Sequence, residues 1–257
     1  MMRFKSLASG SAGNVALVQV RGVEACNVLV DCGLGLRQLL QRLAESGVMP
    51  QQLDAIFITH EHGDHTGCVQ TMSNHYNIPV WMSAGTAAAT GFVNTSGLLN
   101  TASDGDVIEI KGLQLRPFTV PHDAREPLQL TCTDGHTKLG VLTDLGHATA
   151  HVLEQLQGCH ALMLECNHDP DLLEASAYPA FLKKRVGGHY GHLSNSQAAG
   201  IAGAVLHNGL KHVVAAHLSV QNNLPELVKH GLSKALCCSA EDIIVATQDT
   251  GSPWLDA

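Results

Sequence analysis

The sequence predicts an α/β protein built from two β-sheets with helices outside them. Three observations carry that expectation. Short apolar, β-branched runs and stretches of helical periodicity follow one another in the order β-rich, helical, β-rich, helical. No linker or low-complexity tract interrupts the order, so residues 1–257 are expected to form a single domain. Histidines and aspartates fall just after apolar runs, where loops at a sheet edge carry chemistry.

Residues 3–7, 15–20 and 27–30 open as strands separated by Gly/Ser/Asn turns. The connection 6–14, with Gly10 and Gly13, reads as a tight hairpin, although its backbone N–H groups could also meet a phosphate. After Asp31 comes an amphipathic helix over 36–46, stopped by Gly47. Residues 54–59 form a buried strand that runs into His60-Glu61-His62-Gly63-Asp64-His65, followed by a helix over about 68–75. Residues 79–82 predict a strand, 84–89 a short helix, and 94–106 a polar connection. Four strands follow at 107–110, 113–120, 128–133 and 138–143, the last two joined by a hairpin at Asp134-Gly135. Helices are expected at 148–156, 196–207 and 224–236, the last capped by Asn222 or Asn223. Strands at 161–165, 213–216 and 243–246 complete the set.

Composition narrows the function. A chain 45% hydrophobic and 15% charged is an ordinary globular protein with ample length for a core. Its formal charge of −8 argues against a broad basic face for long nucleic acid, although Lys183-Lys184-Arg185 offers a local patch. Sixteen histidines against 4% aromatics hint at metal sites or proton transfer. The eight cysteines show no CxxC pair and read as reduced thiols packed as small hydrophobes. The first residues lack the apolar core of a signal peptide, and no segment reaches the roughly 18 apolar residues of a membrane span. A cytoplasmic protein without a membrane partner is expected.

The metal ligands are the sharpest signal. His60 and His62 are two apart, so in extended backbone they share a face and can share an ion. Asp64 and His65 lie past a glycine and turn towards a second position. His122, Asp144 and His217 each follow an apolar run. Seven such residues exceed the roughly four ligands of one tetrahedral ion. Two ions about 3.5–4 Å apart, bridged by a carboxylate and a hydroxide, would use them all. His60, His62 and His122 are assigned to the first, Asp64, His65 and His217 to the second, and Asp144 to the bridge. This donor mix suits zinc, manganese or iron alike. His75, His136, His147, His151, His160, His207, His212 and His230 read as surface or helix-end residues.

These residues together resemble the metallo-β-lactamase fold, whose motifs they match in order over nearly the whole chain, with Asp31 as the opening residue. The resemblance implies a four-layer αββα sandwich: two mixed β-sheets face to face between helical layers, with the metals at one edge. A narrower likeness rests on the 6–14 loop, Leu164-Glu-Cys-Asn-His-Asp169, Tyr178-Pro179, Gly191-His-Leu-Ser-Asn195 and Ala216-His-Leu-Ser-x-x-Asn-Asn223. It is similar to the exonuclease-like YycJ/WalJ branch, near tRNase Z and the phosphodiesterase PhnP. That likeness implies His217 as the last ligand, and His192 as a non-ligand histidine that binds or protonates a phosphate. It implies Glu165 as the partner orienting His192, and Asp31 as a brace on a metal ligand. His168 lies in a motif of the branch without a clear job, and His189 is incidental.

The expected activity is therefore metal-dependent hydrolysis of phosphodiesters, DNA or RNA ends leading, with Asp64 accepting the water proton and His192 serving the leaving oxygen. A small cyclic (phosphoribosyl) phosphodiester is the alternative substrate, encouraged by the negative charge and the few aromatics. A lactam or thioester hydrolase is disfavoured by His192. A metal-stabilised binding module would be expected to have lost ligands, and a redox di-iron protein would want a flavin domain.

Overall fold

In the computed structural model, which describes residues 1–22, 25–94 and 97–257, the chain builds two seven-stranded sheets. Its first half supplies β1 (Met2–Ala8), β2 (Val15–Val20), β3 (Cys26–Val30), α1 (Leu36–Glu45), β4 (Ala55–Phe57) and the single-turn α2 (Gly63–Thr66). Then come α3 (Val69–Tyr76), β5 (Val80–Met82), α4 (Ala84–Thr90) and β6 (Leu99–Thr101). The second half supplies β7 (Ile108–Ile110), β8 (Leu113–Thr119), β9 (Leu128–Thr133), β10 (Lys138–Leu142), α5 (Ala150–Leu156) and β11 (Ala161–Glu165). It continues with α6 (Pro170–Ala175), α7 (Ala180–Val186), α8 (Asn195–Ala204), β12 (His212–Ala216), α9 (Pro225–Leu236) and β13 (Ile244–Val245). Finally β14 (Leu255–Asp256) returns to pair with β1 of the first sheet.

Both sheets have one plan. From β14 through β1 and β2 to β3 the pairs are antiparallel, and from β3 to β6 they are parallel. In the second sheet β7 to β10 are antiparallel and β10 to β13 parallel. Antiparallel joins are short, as at Asp134-Gly135, where Asp134 Oδ1 accepts from the Thr137 N–H at 2.9 Å and Gly135 has φ +86°. Parallel joins need crossovers, and these supply the outer helices.

Side chains alternate between faces. Val28 and Val30 enter a core shared with Leu115, Leu130, Val141 and Met163 of the opposing sheet. Leu29, between them, packs instead with Leu39, Leu43 and Met72 of α1 and α3. On the other side Leu142 and Leu164 meet Val152, Ile201, Val228 and Leu232 of α5, α8 and α9. Central strands covered on both faces must be apolar throughout, which is why they read as unbroken runs. Helix, sheet, sheet, helix is the resulting order of layers, the expected sandwich.

Four details differ from the sequence reading. The connection expected over 94–106 carries the edge strand β6, Leu99-Asn-Thr101, whose backbone pairs with β5 (Val80↔Leu99); residues 95 and 96 of it lie outside the described residues. The short elements α2, α6 and α7 were not expected, nor was β14. Neither Asn222 nor Asn223 caps α9 by its side chain, since Leu224 occupies the N-cap. Asn223 Nδ2 donates to the Cys166 carbonyl at 2.7 Å instead, tying the end of β11 to the turn after β12. Among the described residues no helix is long and apolar enough to cross a membrane.

Candidate metal centre

The seven expected ligands arrive from strand exits of both sheets. Beyond β3, Asp31 adopts a left-handed backbone conformation, φ +63°. Its Oδ1 accepts from the Thr59 N–H at 2.8 Å and from the Thr59 hydroxyl at 2.9 Å, which anchors the segment leaving β4. Next along that segment stand His60 and His62, and α2 then carries Asp64 and His65. The α2 turn sits tightly on Gly33, where a Cβ would lie 1.7 Å from the Asp64 carbonyl oxygen. That same oxygen accepts from the Asn14 N–H at 2.7 Å. His122, Asp144 and His217 follow β8, β10 and β12 of the second sheet.

Hydrogen bonds set which ring nitrogens face the centre. His122 Nδ1 lies 3.0 Å from the Gly191 carbonyl and His217 Nδ1 lies 3.0 Å from the Thr143 carbonyl. A carbonyl only accepts, so both Nδ1 atoms carry the proton and both Nε2 atoms keep a lone pair. His65 Nδ1 is 2.7 Å from Asp31 Oδ2, and His60 Nδ1 is 3.0 Å from the Thr59 hydroxyl oxygen. These contacts orient four imidazoles with Nε2 inward, as metal ligands are oriented.

The convergent atoms fit cations. His60 Nε2 stands 3.0 Å from His62 Nδ1, which is 3.3 Å from His122 Nε2. Three facing imidazole nitrogens repel unless a proton or a cation lies among them. Both oxygens of Asp144 are buried without a hydrogen-bond partner, although Oδ2 is 3.0 Å from His65 Nε2 and Oδ1 is 3.0 Å from His217 Nδ1. Those nitrogens have no proton for Asp144 in the neutral rings, because Asp31 and Thr143 already take it. A fully buried carboxylate left so is costly unless a cation is its partner. The donor atoms of His60, His62 and His122 lie within 4.8 Å of one another, as do those of Asp64, His65 and His217, and those of His60, His65 and Asp144.

Electrostatics pull in both directions. Burial holds His60 well below its ordinary pKa and His122 down to about 4. It opposes charge on His65 and His217 too, but it is outweighed by Asp144 together with Asp31 at His65, and by Asp144 together with Glu165 at His217, so both are raised. His217 and then His65 hold Asp144 well below the carboxylate range despite its burial. Beside the cluster, His192 Nδ1 is 2.6 Å from Glu165 Oε1. Burial raises Glu165, whereas Glu165 and Asp144 overcome burial to raise His192. Glu165 Oε2 also accepts from the Leu145 and Leu193 N–H groups at 3.0 and 3.1 Å, so the carboxylate is fixed from three sides.

Several residues at the site escaped the sequence reading. The His217 N–H donates to Ser9 Oγ at 2.7 Å, and Asn14 Nδ2 donates to Asp64 Oδ2 at 3.2 Å. The 6–14 hairpin thus braces two of the candidate ligands through its side chains. Asp123 Oδ1 lies 3.5 Å from His122 Nε2, while its Oδ2 accepts from Arg185 Nε at 2.6 Å. Its place next to His122 was the available signal. The eight histidines read as surface or helix-end residues all lie outside the cluster, as does exposed His189. His168 is buried, at 4% exposure.

Residues 26–217 match the Beta-lactamase superfamily domain. The exodeoxyribonuclease YycJ of Bacillus anthracis is 31% identical over 239 residues, covering 91% of this chain and 89% of the relative. A diphosphatase of the PhnP family superposes with TM-score 0.69 at 18% identity, covering 100% of this chain and 98% of its own. The short form of human tRNase Z superposes with TM-score 0.65 at 15% identity, over 99% and 98% of the two chains.

Proposed function

The chain belongs to the beta-lactamase superfamily, as a hydrolase homologous to the YycJ exonuclease, and from that premise we propose that it cleaves phosphodiester bonds at the ends of DNA. The carrying observation is His192. Held by Glu165 at 2.6 Å, it lines the same cavity of about 410 Å³ as Asp64, Asp144 and His217, yet is not among the seven residues expected to ligate. A histidine so placed suits a reaction whose leaving oxygen needs a proton.

In this reading His60, His62 and His122 would hold one divalent ion and Asp64, His65 and His217 a second, with Asp144 shared. Zinc or manganese suits these donors, as does iron. Such cations supply charge to the phosphoryl oxygens and lower the pKa of water. Asp64 Oδ2 accepts the proton of the attacking water. His192, with its Nδ1 proton directed at Glu165, gives the proton on Nε2 to the leaving oxygen. Residues 1–257 act as one domain, and the free thiols of all eight cysteines suit the cytoplasm.

His192→Ala tests the assignment. Metal content by elemental analysis should stay at the wild-type level, while turnover of a 5′-phosphorylated oligonucleotide falls roughly 10²–10⁴-fold. Lost metal or an unchanged rate would remove His192 from this role. The net charge of −8 favours a second reading, a small cyclic phosphodiester as substrate. Rates on the oligonucleotide, on a cyclic phosphate and on bis-p-nitrophenyl phosphate separate the two.

A further inference from the structure

A larger cavity, of about 630 Å³, lies beside the metal centre between α6, α7 and the start of α8. Helix α7 is the partition. Leu182, Arg185 and Val186 line the metal-side cavity, whereas Lys183, Lys184 and Gly187 line the other. That split is the three-and-four spacing of a helix presenting two faces. The basic run therefore serves both cavities, and Tyr178 lines both as well.

His168 forms part of the wall of the second cavity. Although only 4% exposed, its imidazole makes no hydrogen bond within the described protein, and Nδ1 is buried without a partner. Its backbone is fixed, with its carbonyl accepting from the Asn195 N–H at 2.9 Å. A Cβ at Gly187 would stand 3.8 Å from His168 Nε2, so the glycine keeps that side of the ring uncovered. Gly187 has φ −85°, a conformation any residue adopts, so backbone geometry does not demand glycine here. Lys183 Nζ is taken by the Glu174 carbonyl, while exposed Lys184 makes no ion pair among the described residues. Two lysines face one acid, Glu174, on this wall, in a chain of net charge −8.

We propose that this cavity is a second phosphate subsite, built by His168 and Lys184, which takes a further phosphate of a nucleic-acid strand whose scissile phosphate lies in the metal-side cavity. The proposal rests on the phosphodiesterase reading and deepens it, since a nucleic-acid strand carries further phosphates beyond the scissile one. It gives one purpose to the buried imidazole and to the basic run.

Binding is read by fluorescence anisotropy on the metal-loaded full chain, with a 5′-phosphorylated phosphorothioate oligothymidylate that resists cleavage. Lys184→Glu should weaken binding at least tenfold at low salt and flatten the plot of log affinity against log salt by about 0.7. Gly187→Val should weaken binding comparably by covering His168 without removing a charge, and His168→Gln should do so with the fold retained. In hydrolysis, the ratio of kcat/KM for an ordinary oligonucleotide to that for bis-p-nitrophenyl phosphate should fall at least tenfold. Unchanged affinity in both Lys184→Glu and Gly187→Val overturns the subsite. A wild-type protein inactive on both phosphodiesters overturns the phosphodiesterase reading instead, and the anisotropy still decides the subsite.

Discussion

Asp31 touches no group that would hold a cation directly except through His65, yet much depends on it. One oxygen fixes Thr59 and the other orients His65, from a backbone conformation that few non-glycine residues adopt. Asp31→Ala should lower metal affinity about 10–100-fold, measured by competition with a chromophoric chelator; a change under about twofold would show that His65 needs no brace. In the proposed reaction Glu165 would position His192 in the same way. Glu165→Gln should cut kcat by about tenfold or more with KM little changed, and should move the alkaline limb of the pH profile to lower pH, because the carboxylate raises His192 and so keeps its proton available. A purely structural role would lower stability without moving that limb. Metal binding also competes with protons: His65 and His217 are raised by Asp144, so they hold protons at pH values where an ordinary histidine has begun to lose them. Affinity should thus fall as pH falls, with protons released on binding, which calorimetry in two buffers detects.

At the scale of elements, the placement of α2 against Gly33 decides whether Asp64 and His65 reach the centre. Gly33→Ala drives a methyl into the Asp64 carbonyl, and backbone cannot yield as a side chain tip can. The expected cost is about 3 kcal/mol, or a Tm lower by about 10 °C, together with reduced metal content. The strands that end at candidate ligands were legible because burial on both faces makes them nearly continuous apolar runs, as in β4, β10 and β12. The residues that converge at the candidate centre were legible as polar residues closing those runs. The short helices α6 and α7 were not, because their few residues show no clear period, and neither was β6, whose three residues sit inside a polar stretch. Asn14, Ser9 and Asp123 remained hidden because a lone polar side chain in a loop carries no spacing signal. Only the folded chain brings Ser9 to His217, 208 positions away.

For the whole molecule, burial governs thiol chemistry. Six cysteines are buried, and burial pushes Cys26 up to about 12 and Cys159 to about 11, so both stay protonated and inert. At pH 8 a thiol reagent should modify Cys237 and Cys238 in the native protein and all eight only after unfolding; rapid loss of more than two native thiols would contradict the packing. The two sheets also divide the donors. His60, His62, Asp64 and His65 leave the first sheet, while His122, Asp144 and His217 leave the second. A chain severed in the turn around Asp104-Gly105 would yield two fragments, each with an incomplete coordination set. Zinc or manganese should then act as a rivet between them, tightening reassociation in light scattering or fragment complementation, and a chelator should let the halves drift apart.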